Sequence, residues 1–163
     1  MRIALFIPCY VDRCYPAVGR ATLRLLQALC PDSEIVFPTK QTCCGQPMLN
    51  AGCADASRDT ANHFVTTFSG FDAVVAPSAS CVAMVRHHYA DLVSDQSAYA
   101  ALAPRVFELC QFLVEQRGIR SIGGRFAHRV GLHRGCHGLR DLGQGASSES
   151  RKQCAVPAEI LLR

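Results

Sequence analysis

The sequence lacks long hydrophobic runs, blocks of like charge and cysteine pairs of the CxxC type. No apolar stretch approaches the roughly 18 residues that span a bilayer, so the chain is predicted to have no transmembrane segment. Its 17 Lys and Arg and 13 Asp and Glu residues are scattered and leave a net charge of +4. Because phosphate backbones are bound by clustered cations, no nucleic-acid partner is expected.

The first residues read as a buried strand and not as a secretion signal. An apolar run from Ile3 to Pro8 follows Met1 and Arg2. This run is shorter than the core of a signal peptide, and no small-residue cleavage site follows it. We therefore expect a cytoplasmic protein. Apolar residues make up 49% of the chain and charged residues 18%, which is typical of a globular domain with a real core.

What the chain has in abundance is cysteine. Ten are present: Cys9, Cys14, Cys30, Cys43, Cys44, Cys53, Cys81, Cys110, Cys136 and Cys154. A disulfide scaffold fits poorly, because such scaffolds belong to short secreted chains. In a reducing compartment, cysteines serve as metal ligands, as catalytic thiols or as small core residues.

Strand-like and helix-like segments alternate along the chain. Apolar runs predict strands at residues 3–8, 34–38, 73–76 and 127–133. Helical spacing and capping residues predict helices at 16–30, 53–68 and 81–92, another from Pro104 and a last one from Pro157. Ser78 and Ser80 can cap the helix at 81–92. This alternation predicts an α/β fold, in which a parallel sheet is flanked by helices.

Cysteines follow the predicted strands, where parallel sheets gather functional groups. The cysteines in question are Cys9, the pair Cys43 and Cys44, Cys81 and Cys136. The others are expected in helices or the core: Cys14, Cys30, Cys53, Cys110 and Cys154. Thiolates that converge from separate loops suit an iron–sulfur cluster. Zinc could use the same thiolates, but zinc sites usually carry two CxxC knuckles, which this chain lacks.

The spacing of these cysteines resembles the CCG cysteine-rich domain family. Between Cys9 and Cys43 lie 33 residues, and between Cys44 and Cys81 lie 36. The segments that carry the resemblance are residues 7–12, 41–48, 76–86 and 131–140. The family includes the B subunit of heterodisulfide reductase, the glycolate oxidase iron–sulfur subunit and proteins of the lactate-utilisation A type, which this sequence resembles most.

The resemblance implies a Rossmann-like domain that binds an iron–sulfur cluster of the [4Fe–4S] type. The implied cluster ligands are Cys9, Cys43, Cys44 and Cys81. It further implies an electron-transfer subunit of an oxidoreductase complex. That complex would oxidise L-lactate or a related small 2-hydroxyacid together with sister subunits.

The sequence departs from the family pattern in two places. Where heterodisulfide reductase has the second cysteine of a CxxC motif, this chain has Met84, and a thioether is a weak ligand for iron. Members of the family typically carry two repeats. Here residues 1–125 are interpreted as the first repeat and residues 126–163 as the start of a second, truncated one. Cys136 would be the opening metal ligand of that second repeat.

Other interpretations stay open at this stage. His133 and His137 flank Cys136 and could bind a substrate carboxylate or relay a proton, although strand-end histidines with a purely structural role are the simpler reading. Cys43 and Cys44 could instead act as metal-free redox thiols, but a disulfide between adjacent cysteines is strained. A non-catalytic interaction module shaped by a bound metal is the third alternative.

Overall fold

The fold is built on a parallel sheet, as the alternation of segments predicts. The computed structural model describes residues 1–123, 127, 129 and 135–143. The strands are β1 (Arg2–Leu5), β2 (Glu34–Val36), β3 (Ala73–Ala76) and β4 (Val106–Glu108). They lie in the order β2-β1-β3-β4, and every neighbouring pair is parallel. The α/β class, with helices flanking the sheet in a Rossmann-like arrangement, is confirmed.

The helices connect the strands and cover the sheet. They are α1 (Cys9–Cys14), α2 (Pro16–Leu29), α3 (Gln46–Asn50), α4 (Ala54–Phe68), α5 (Ala79–His88), α6 (Gln96–Leu102), α7 (Leu109–Gln111) and α8 (Cys136–Arg140). Single 3₁₀ turns follow α5 and α6, at Tyr89–Asp91 and Ala103–Arg105, and a π-type turn at Phe112–Gln116 extends α7. The short helices α1, α3 and α6 were not predicted from the sequence.

Two buried clusters lie on opposite faces of the sheet, because side chains alternate along each strand. On one face, Ile3 and Leu5 pack with Leu26 and Phe112. On the other face, Phe6 packs against two aromatic rings, Phe64 and Phe68, of which Phe64 is the nearer. Both faces of the sheet are therefore apolar, which accounts for the continuous hydrophobic run of the first strand.

The prediction of a helix starting at Pro104 is wrong for its first residues. Val106 to Glu108 instead form β4, which pairs with Val74 to Ala76 of β3. The spacing of Val106, Leu109 and Leu113 fits a helix, but backbone pairing to β3 decides the conformation. The helix begins only at Leu109. The predicted strand at 127–133 and the helix from Pro157 lie outside the described residues, apart from Ala127 and Arg129.

Candidate thiol-cluster site

Three of the loops at the carboxyl edge of the sheet carry cysteine. The chain passes from β1 to β2 on one side and then to β3 on the other, so the point where the strand order reverses lies between β1 and β3. Cys9 begins α1 after β1, and Cys81 lies in the first turn of α5 after β3. Cys43 and Cys44 lie in the loop after β2. Their predicted placement at strand ends is confirmed.

The four thiols form a connected series. The Sγ atoms of Cys9 and Cys43 are 3.4 Å apart. The side chain of Cys44 interacts with those of Cys43 and Cys81, and both interactions raise its pKa. Exposure falls along the series: Cys9 is exposed, Cys43 is half-buried, and Cys44 and Cys81 are only 2% and 4% exposed. Three separate segments of the chain are thus brought into one site. We call its members, Cys9, Cys43, Cys44 and Cys81, the thiol cluster.

The thiol cluster shifts the pKa values of its members in opposite directions. The neighbouring thiol of Cys44, helped by a hydrogen bond from the backbone N–H of Gly45, lowers the pKa of Cys43 to about 5. The thiol of Cys44 also lowers the pKa of Cys81. The same interactions, together with burial, raise the pKa of Cys44. Partial burial and the contact with Cys43 raise the pKa of Cys9 to about 11.

These opposite shifts have one physical origin. Thiolates held this close repel one another, so some of the thiols ionise only if the others keep their protons. A bound cation would remove that restriction, because a coordinating thiol loses its proton outright. The arrangement therefore has the chemistry of a site for soft metal ions or a metal cluster.

Gly45, which follows the two adjacent cysteines, is required by the backbone. It has φ +82°, a left-handed conformation in which side chains are strained, and it precedes α3. A Cβ built on it would lie 3.0 Å from Oγ of Ser57. That hydroxyl is buried and donates a hydrogen bond to the carbonyl of Gly45 at 3.2 Å. The glycine thus allows a tight turn to lie against α4.

Gln41 ties the loop of Cys43 to the end of β1. Its side-chain oxygen accepts a hydrogen bond from the N–H of Ile7 at 2.8 Å, and its amide group donates to the carbonyl of Leu5 at 3.1 Å. The same amide group lies 3.1 Å from the carbonyl of Pro38. One side chain therefore pairs with β1 as a strand would, and it sets the distance between the loops that carry Cys9 and Cys43.

Two other residues form hydrogen bonds to the backbone of the buried cysteines. Ser78, which the sequence predicts as a helix cap, accepts a hydrogen bond from the N–H of Cys81 at 3.4 Å. The hydroxyl of Tyr89 donates to the carbonyl of Cys44 at 2.9 Å. Neither Gln41 nor Tyr89 is among the residues that the sequence predicts for the site. Gln41 could have been found, since it stands in the same motif as the adjacent cysteines.

The segment with Cys136 packs beside the same loop. Cys136 is exposed and begins α8. His137 lies with Nδ1 2.7 Å from Oδ2 of Asp141 and with Nε2 3.5 Å from Nε2 of Gln46, the residue after Gly45. Asp141 thus orients the imidazole toward the start of α3. His133 lies outside the described residues.

The remaining cysteines are dispersed. Cys30 is buried in the core at the end of α2, and Cys14 is exposed at the end of α1. Cys53, the first residue of the predicted helix, is exposed and lies one residue before α4 begins. Cys110 is half-buried in α7, directly behind β4, and not in the middle of a long helix as predicted. Cys154 lies outside the described residues.

Met84 lies in the core and not in a loop. It is 1% exposed and belongs to the same buried cluster as Cys81, three residues earlier in α5. Within residues 1–123, 127, 129 and 135–143, no three His, Cys, Asp or Glu side chains are arranged around a position for a single metal ion. In the part of the chain that the structure describes, no helix is long and apolar enough to cross a membrane.

A parallel α/β domain with cysteine thiols at the carboxyl edge of its sheet is a cysteine-rich α/β domain. The family is also shown by comparison: residues 3–86 match the family described as CCG, cysteine-rich domain. The chain therefore belongs to the CCG cysteine-rich domain family, as the motif spacing predicts. No solved structure matches the chain.

Several curated relatives are named lactate utilization protein A. The one from an Exiguobacterium species is 40% identical over 147 residues, covering 86% of this chain and 59% of the relative. The one from Halalkalibacterium halodurans is 38% identical over 151 residues, covering 90% and 61%. Lactate utilization protein A 1 of Bacillus mycoides is 33% identical over 166 residues, covering 99% and 66%. The chain thus spans about three fifths to two thirds of the length of these relatives.

Proposed function

We propose that this chain is an iron–sulfur electron-transfer subunit of a complex that oxidises L-lactate or a related 2-hydroxyacid. Cys9, Cys43, Cys44 and Cys81 would hold a [4Fe–4S] cluster. The observation that carries the proposal is the convergence of these four cysteines at one sheet edge, with the Sγ atoms of Cys9 and Cys43 3.4 Å apart. The pKa of Cys44 is raised by interactions with both Cys43 and Cys81. The hydroxyacid comes from the names of the relatives.

The donor set fits such a cluster on chemical grounds. All four side chains are soft sulfur donors, which iron–sulfur clusters use, and each thiolate would bind an iron of its own. A site of that kind does not need several side chains around one ion. When bound, the cluster would supply reversible one-electron transfer. The protein would hold it by the thiols and adjust its potential by burial and hydrogen bonding.

We further propose that the chain works in the cytoplasm with sister subunits, and that electrons leave through the clusters of these partners. Residues 1–125 would form one repeat and residues 126–163 the beginning of another, with Cys136 as a metal ligand of the second site. The packing of α8 beside Gln46 supports a working contact between the two parts.

The test is an anaerobic iron and sulfide analysis, with EPR of the reduced protein, on the chain reconstituted with iron and sulfide. The expected result is brown protein with about four irons and four sulfides per chain. Cys43→Ser should lose most of the iron, whereas Cys14→Ser, an exposed cysteine at the end of α1, should retain it. Colourless protein after reconstitution, or equal iron in Cys43→Ser, would contradict the proposal.

A metal-free thiol–disulfide function is the second candidate, and one distance favours it. Cys9 and Cys43, 3.4 Å apart, could form a disulfide with less strain than the adjacent Cys43 and Cys44. Peptide mapping of the oxidised chain would then find a Cys9–Cys43 bond that mild reduction reopens, in protein that takes up no iron. If iron binds and protects both thiols from alkylation, the cluster proposal stands.

A further inference from the structure

We infer that Tyr89 tunes the redox centre through a single peptide group, the one that joins Cys44 to Gly45. The inference rests on the proposed function and adds a residue that is not a ligand. The hydroxyl of Tyr89 donates to the carbonyl oxygen of Cys44 at 2.9 Å. The N–H on the other side of the same peptide group belongs to Gly45, and it donates to Sγ of Cys43 at 3.4 Å.

Tyr89 is held rigidly for this contact. It follows α5 directly, is 0% exposed, and packs edge-on against Phe64 with 5.6 Å between ring centroids. A phenylalanine would fill the same apolar space, so packing alone does not account for the hydroxyl. A buried hydroxyl requires a partner, and the partner here is the carbonyl of Cys44.

The two hydrogen bonds act on each other because the peptide group is conjugated. A donor at the carbonyl oxygen increases the double-bond character of the C–N bond and makes the N–H a stronger donor. The bond from Gly45 to the sulfur of Cys43 is thereby strengthened. Hydrogen bonds to cluster sulfurs stabilise negative charge and so favour the reduced form. The hydroxyl of Tyr89 therefore raises the reduction potential without touching a ligand.

The loop does not depend on Tyr89 for its position. Ser57 donates to the carbonyl of Gly45 at 3.2 Å, and Gln41 holds the preceding residues to β1. Removal of one hydroxyl should therefore leave the cysteines in place and change only the polarisation of the peptide group. This separates a tuning role from a purely structural one.

Tyr99 provides a matched control. It is also buried, its ring lies 6.3 Å from that of Tyr89, and its hydroxyl donates to a backbone carbonyl at 2.9 Å. That carbonyl belongs to Arg86 in α5 and not to the loop of the adjacent cysteines. Tyr99→Phe thus removes an equivalent hydroxyl from the same aromatic group without touching the Cys44–Gly45 peptide.

The experiment uses the whole chain in two forms. In the reconstituted protein, an EPR-monitored redox titration should give a lower midpoint potential for Tyr89→Phe and an unchanged one for Tyr99→Phe, with equal iron content. In the metal-free chain, the amide proton signal of Gly45 should move upfield in Tyr89→Phe alone.

The outcomes separate the inference from the proposed function. Equal midpoint potentials in the original chain and Tyr89→Phe would overturn the inference while the cluster stands. Failure of every form to take up iron would overturn the proposed function, and the tuning role would fall with it. An unmoved Gly45 signal in Tyr89→Phe would overturn the peptide link whatever the iron content.

Discussion

At the scale of single residues, two glycines share a left-handed conformation, but we expect only Gly45 to be important for the thiol cluster, and not Gly52. Gly45 and Gly52 have φ values of +82° and +79°. A Cβ on Gly45 would meet Ser57 at 3.0 Å, whereas a Cβ on Gly52 would meet nothing within 4 Å. The two positions therefore carry the same backbone strain but different packing.

Alanine substitution at the two glycines separates these effects. Gly52→Ala should lower the free energy of unfolding by about 1 to 2 kcal/mol, the cost of the left-handed conformation for a residue with a Cβ. Gly45→Ala should cost about 1 to 3 kcal/mol more, because the hydrogen bond of the buried Ser57 is disturbed as well. Urea denaturation measures both. Equal losses would mean that the contact with Ser57 is unimportant.

At the scale of elements, the side chain of Gln41 takes the place of a neighbouring strand at the end of β1. Gln41 forms hydrogen bonds with Ile7 and Leu5 that another strand would otherwise provide. Gln41→Ala should lower the free energy of unfolding by about 1 to 3 kcal/mol, because it leaves half-buried backbone groups of β1 without these bonds. Gln27→Ala, on the exposed side of α2, should change it by less than about 0.5 kcal/mol.

The same substitution should affect the thiol cluster. Without Gln41, the loop of Cys43 is no longer tied to the end of β1, and the contact between Cys9 and Cys43 becomes variable. Iron retention during gel filtration should fall in Gln41→Ala and not in Gln27→Ala. Full retention, together with a loss of stability, would show that Gln41 supports the fold alone.

Elements with a local signal were predictable from the sequence, and those made by distant pairing were not. The strand at Ala73–Ala76 and the cap at Ser78 have their predicted positions. By contrast, β4 is three residues long and is defined by its bonds to β3, which local spacing does not reveal.

The candidate site also has parts that were predictable from the sequence and parts that were not. The topology of a parallel sheet predicts that cysteines at strand ends will converge, and they do. The bond from Tyr89 to Cys44 joins residues 45 positions apart, and no pattern in the sequence indicates it. The contact of Tyr89 with the thiol cluster therefore required a structure, whereas the members of the cluster did not.

At the scale of the whole molecule, the sheet and most of both cores lie within residues 1–125. From the described part of the later chain, Leu142 adds to one core, and His137 reaches Gln46. A chain of residues 1–125 should therefore fold cooperatively by circular dichroism, with a free energy of unfolding lower by about 1.5 to 3 kcal/mol for the lost leucine burial.

The control is Leu142→Ala in the whole chain, which should reproduce most of this loss. A shortened chain that unfolds without cooperativity would show that residues 1–125 are not an independent unit. Retention of iron by the shortened chain would further show that the first four cysteines suffice, without Cys136.

The solvent exposure of the cysteines decreases from Cys9 to Cys44 and Cys81, so the thiol cluster has an outer and an inner end. Cys9 faces water, while Cys44 and Cys81 lie within the core. A chelator or an oxidant arriving from solution would meet the outer sulfur first, so damage to a bound cluster should begin at Cys9 and proceed inward. A docked redox partner would find its shortest electron path at that same end. The sulfur of Cys9 would thus be both the transfer point for electrons and the first cluster ligand to be attacked.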